Sequence, residues 1–100
     1  MKFAQALAED RRLAILKLLA EANGSANESV LQTGLEMLGH VSGLTRQAVR
    51  DDLKFLEDRG AIRLEWFGDK VAVAHLLLRG SEIAQGRARV DGIKPPAIGE

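Results

Sequence analysis

The chain has 100 residues, no cysteine and a formal net charge of zero, with 14 basic and 14 acidic side chains. That length suits one domain with a modest core, and a hydrophobic content of 46% argues against disorder over most of it. The lack of cysteine excludes a disulfide framework and a thiolate metal site. The balanced charge argues against a general polyanion binder, whose affinity comes from neutralising phosphates.

No apolar run approaches the roughly 20 residues that span a bilayer. Glu9, Asp10, Arg11 and Arg12 interrupt the place where the apolar part of a signal peptide would lie. A cytoplasmic protein without a membrane partner is the expectation.

A first helix is expected from Phe3 or Ala6 to Ala22. Its centre, Leu13, Ala14, Ile15, Leu16, Leu18 and Leu19, is apolar around most of the circumference, where a surface helix would show a narrower stripe. Such a helix is either central to the core or shared with a second subunit, and a homodimer is one expectation. Asn23-Gly24 ends it. Ser25-Ala-Asn-Glu28 has capping-box spacing and can open a second helix, with Asn27 as a rival cap. Val30, Leu31, Leu35 and Leu38 supply its buried side, and Gly39 stops it.

Leu44 to Ile62 is the most informative stretch. Thr45 can cap a third helix by accepting a bond from an otherwise unpaired N–H. Leu44 and Val49 have hydrophobic-staple spacing. Val49, Leu53 and Leu56 share an apolar face, while Arg46, Arg50 and Lys54, each four apart, form a basic stripe on another. Asp52 falls near the apolar arc and needs a partner, such as Arg59 or a neighbouring helix amino end.

After Gly60 the period becomes two: Ile62, Leu64 and Trp66 alternate with Arg63, Glu65 and Phe67. Trp66 is therefore expected in the core under a hairpin. Gly68-Asp69 is a plausible two-residue turn. Val71, Val73 and His75 alternate with Ala72, Ala74 and Leu76 on the return strand. Leu78 to Gly86 suggests a short closing helix, and 87–100, with Pro95-Pro96, a flexible tail.

The fold class is thus α+β, mainly α with a β-hairpin, in the order helix, helix, helix, strand, strand, short helix. This order, over roughly residues 6–86 of a domain expected at 1–86, resembles the winged helix-turn-helix superfamily. Val49-Arg-Asp-Asp-Leu53, Leu56 and Gly60-Ala-Ile62 resemble the junction of helix and wing in ArsR-like and DeoR-like regulators. Leu76-Leu-Leu-Arg-Gly80 resembles the segment that follows the wing. With Glu9-Asp-Arg-Arg-Leu-Ala-Ile-Leu16 and Gly86-Arg-Ala-Arg-Val90, nearly the whole chain resembles small winged-helix proteins of Mu-like prophages.

The resemblance implies a duplex-DNA-binding protein that reads DNA with its third helix, as a prophage transcriptional regulator or another DNA-transaction factor. Thr45, Arg46, Gln47, Arg50 and Lys54, with Lys70 at the wing tip, are the candidate contacts. Arg can pair bidentately with guanine and Gln with adenine. The alternative is a protein–protein adaptor in a phage assembly or terminase complex, favoured by net neutrality and a weakly basic wing. No catalytic residue, cofactor or metal is expected: enzymatic motifs are absent, and His40 and His75 stand alone, short of a zinc ligand set.

Overall fold

The computed structural model describes residues 2–97. The elements in chain order are α1 (Phe3–Glu21), β1 (Ser25–Asn27), α2 (Glu28–Met37), α3 (Arg46–Asp58), β2 (Ile62–Phe67), β3 (Val71–Leu76) and α4 (Leu78–Ala84). Among the described residues these give four helices and one three-stranded antiparallel sheet of order β1-β3-β2.

Most of the apolar circumference of α1 is covered within one chain, Leu18 staying half-buried. Leu13, Ala14, Ile15, Leu16 and Leu19 are all buried and share a core with Leu31, Leu35, Val49, Leu53, Leu56, Ile62 and Ile83. The buried face of helix 1 therefore needs no second subunit to cover it, because α2, α3, α4 and β3 all pack against it.

Asn23 and Gly24 take positive φ values of 59° and 97° at the end of α1, and the Gly24 N–H donates to the Leu19 carbonyl. The chain then enters β1, a strand not anticipated from sequence. Ser25 pairs with His75 and Asn27 with Val73. Three residues are too few to show a two-residue period, so pairing with β3 rather than local pattern makes this strand. Asn27, not Ser25, caps α2: its Oδ1 accepts from the Val30 N–H at 2.8 Å.

Thr45 caps α3 as expected, its Oγ1 accepting from the Ala48 N–H at 3.0 Å. Leu44 packs on the core beside it, and α3 gives way to Gly60 at φ 74°. In the hairpin Phe67 pairs with Val71, so the turn is the three residues Gly68-Asp69-Lys70 rather than the two expected. Ile62 is buried on the inner face, yet Trp66 is 42% exposed. Alternation assigned Trp66 the right face, but there it meets the Arg50 guanidinium, 5.7 Å from its ring centroid, rather than the apolar core.

α4 lies close to the start of the hairpin. The Leu77 N–H donates to the Ala61 carbonyl at 3.0 Å. A side chain at Gly80 would collide with that same carbonyl oxygen, which gives the Leu76-Leu-Leu-Arg-Gly80 segment a packing reason for its glycine.

The stretch after α4 also differs from expectation. Ile93 is only 4% exposed, and Ala88 and Val90 pack against the core. The Arg12 Nη1 donates to the Gly92 carbonyl at 2.9 Å, and the Lys94 N–H to that of Glu9 at 3.2 Å. These anchors lie on α1, far away in sequence, so a stretch with no period of its own gives no local sign of them. Residues 98–100 of the expected tail fall outside the described residues.

Candidate nucleic-acid interface

Helix α3 carries most of the candidate contacts, and the structure separates them into open and committed groups. Arg46, Gln47 and Lys54 are exposed. The Arg46 Nε donates to Gln32 Oε1 at 2.7 Å, and the Gln47 amide to Asp51 Oδ1 at 2.8 Å. Both are exposed bonds of the kind that water or a ligand replaces at small cost. Lys54 makes no ion pair with the described carboxylates. Glu57, one helical turn beyond Lys54, accepts from the Leu64 N–H at 2.9 Å and ties α3 to β2.

Arg50 is committed. Its guanidinium grips Glu28 at both carboxylate oxygens, 2.7 and 2.9 Å, and donates to the Lys70 carbonyl at 2.9 Å. It also lies 5.7 Å from the Trp66 ring centroid. One side chain thereby links α2, α3 and the hairpin turn and fixes the angle of the hairpin to α3. The Lys70 side chain remains exposed at the tip.

Glu28 was missed as more than a capping-box residue. It is 1% exposed, and the hydrogen bond from Arg50 holds its carboxyl below the ordinary value despite burial, with the Arg50 charge, the Ala72 N–H and the Arg46 charge acting the same way. Its partner reciprocally raises the Arg50 guanidinium, chiefly through the same hydrogen bond. The spacing of Glu28, Leu31 and Leu35 along one helix face was the signal that could have found it.

Asp52 is likewise 1% exposed, but its partners are Arg11 at 2.7 Å and Arg12 at 3.1 Å from α1, not Arg59. Arg59 instead lies over the Phe55 ring at 4.0 Å, opposite Arg12 at 3.8 Å. The cluster is a structural clamp joining α1, α3 and the 88–93 stretch.

One further constellation was not read from sequence. Ser25 Oγ lies 2.7 Å from His75 Nδ1, and His75 Nε2 lies 2.9 Å from Glu65 Oε1. A carboxylate only accepts, so His75 Nε2 donates to Glu65. This order resembles a nucleophile, base and orienting acid. However, the three sit on the open outer face of the sheet, and none of them lines the cavities at α1 and α2. The row links β1, β3 and β2 side chain to side chain across the sheet. Among the described residues no group of three or more metal-ligating side chains converges, and no helix is long and apolar enough to cross a membrane.

No family model matches the chain, and no solved structure matches it. Two proteins do. The chain is 41% identical over 90 residues to the uncharacterized protein gp26 of Escherichia phage Mu, covering 90% of this chain and 91% of that one. It is 37% identical over 79 residues to an uncharacterized protein of Haemophilus influenzae strain Rd, covering 79% and 76% respectively. At this identity and coverage the chain belongs to the family of phage Mu gp26.

Proposed function

We propose that this chain is a winged helix-turn-helix protein that binds duplex DNA through α3, a non-enzymatic factor in transcriptional regulation or another DNA transaction of a Mu-like phage or prophage. Support for the fold comes from the order α1-β1-α2-α3-β2-β3 with its sheet order β1-β3-β2. In that fold α3 is the recognition helix, and its amino-terminal turns meet base edges.

The observation that carries the reading is the open face of α3: Arg46, Gln47 and Lys54 are exposed beyond a Thr45 cap. Arg46 and Gln47 are the base-reading candidates and Lys54 a phosphate contact. Arg50 acts indirectly, by holding the hairpin beside α3. On this reading the protein works where the duplex genome is, in the host cytoplasm.

The test is duplex binding by variants that leave the core untouched. Arg46→Ala plus Lys54→Ala is expected to weaken binding at least about tenfold, to relax base preference through the loss of Arg46 and to flatten the salt dependence by roughly one phosphate contact through the loss of Lys54. Unchanged affinity and slope would exclude α3 as the reader.

The adaptor reading has a specific observation in its favour. An apolar groove of about 410 Å³ lies between α1 and α2, away from the α3 face. A protein that binds no duplex DNA at low salt but captures a phage protein there would establish it.

A further inference from the structure

Two apolar features of opposite shape remain uncovered. One projects: at the hairpin end Phe67 is 56% and Val71 40% exposed, paired across the strands on the outer face. Trp66 emerges on the other face. The other is recessed: the groove of about 410 Å³ is lined by Leu18, Ala22, Ala26, Val30, Gly34 and Met37. Val30 is 56% and Met37 83% exposed there.

We infer that the hairpin tip of one copy seats in the α1–α2 groove of a second copy. The groove is large enough for more than one apolar side chain, being in the range of small-ligand sites. Phe67 with Val71 presents an exposed apolar pair of side chains. Of the two charges in the exposed turn, Asp69 and Lys70, the lysine has a complement in Glu21, which lines the groove.

The tip cannot fill its own groove. The Arg50 bond to the Lys70 carbonyl holds the turn beside α3, and the exposure of Phe67, Val71, Val30 and Met37 shows both surfaces open in the single chain. The contact joins unlike patches, so it differs from a dimer through α1 and can link copies head to tail. Its small area places it among weak, concentration-dependent associations.

Sedimentation equilibrium up to about millimolar concentration tests this. The natural chain is expected to rise above monomer mass as concentration increases. A tip variant, Phe67→Ser with Val71→Ser, and a groove variant, Val30→Asp with Met37→Asp, should each stay monomeric. Their 1:1 mixture should associate again, because one retains the groove and the other the tip. All four positions are exposed, so thermal unfolding of each variant alone serves as the check that the core is intact. A natural chain that stays monomeric, a variant that still associates by itself, or a mixture that does not recover would overturn the inference.

Discussion

Asp52→Ala is expected to destabilise the protein by about 3–5 kcal/mol, the cost of breaking a buried ion pair from one side. Asp52 receives the Nε groups of both Arg11 and Arg12, whose side chains are themselves only 11% and 17% exposed. Removing the carboxylate leaves two crowded guanidinium groups with no counter-charge. Arg12 also holds the Gly92 carbonyl and one face of Phe55, so the 88–93 stretch should loosen with it. Urea unfolding measures the loss, which is large beside a typical total of about 5–15 kcal/mol. Arg11→Ala should cost much less, because Arg12 still neutralises Asp52.

Arg50→Ala carries the second-largest expected effect, a fall in the urea midpoint of roughly 1 M. The asymmetry of its pair makes the argument. Removing Glu28 frees an Arg50 side chain that is 29% exposed and can turn to water, whereas removing Arg50 strands a carboxylate that is 1% exposed. Arg50→Ala should therefore cost more than Glu28→Gln.

The pH dependence follows from the lowered Glu28 value. A carboxyl whose folded value lies below its unfolded one, about 4.3 for Glu, stabilises the fold above the unfolded value. That contribution is lost as pH falls through the folded one. The difference in stability between the natural chain and Arg50→Ala should thus be full at neutral pH and shrink on acidification, as the stranded Glu28 takes up a proton. A gap independent of pH between 3 and 7 would show that Glu28 is not the group Arg50 serves. Weak DNA binding by Arg50→Ala would consequently report a displaced hairpin as readily as a lost contact, so Arg46 and Lys54 are the cleaner probes.

Local signals in the sequence were sufficient for α3 and the hairpin. Thr45 at the cap, the Val49, Leu53 and Leu56 face, Gly60 and the change to a two-residue period all act within a few residues of one another. What could not be read depends on distant partners. Asp52 meets Arg11 across 41 positions and Arg50 meets Glu28 across 22, and neither spacing marks a helix or strand. β1 exists because β3 offers it a ladder, and Ile93 is buried because α1 and Phe55 receive the stretch around it. Trp66 shows a related limit: alternation fixes a residue's face, while its burial depends on what the neighbouring helix presents there, here the Arg50 guanidinium.

The candidate site was legible as a set of residue types but not as a division of labour. Arg46, Arg50 and Lys54 look equivalent as a stripe. Only the position of Glu28 separates Arg50 from the other two, and it does so from the first turn of another helix. The open face that remains carries Arg46, Gln47 and Lys54 together with Asp51 and Asp58. So mixed a face suits selective binding better than strong non-specific attraction, in keeping with the zero net charge.

The most direct test of DNA recognition by α3 is fluorescence anisotropy of the natural chain with labelled duplex fragments of mixed sequence, repeated across a salt series. The account predicts micromolar or tighter binding at low salt, with log affinity falling linearly as log salt rises. Absence of binding at low salt, or binding indifferent to salt, would contradict it.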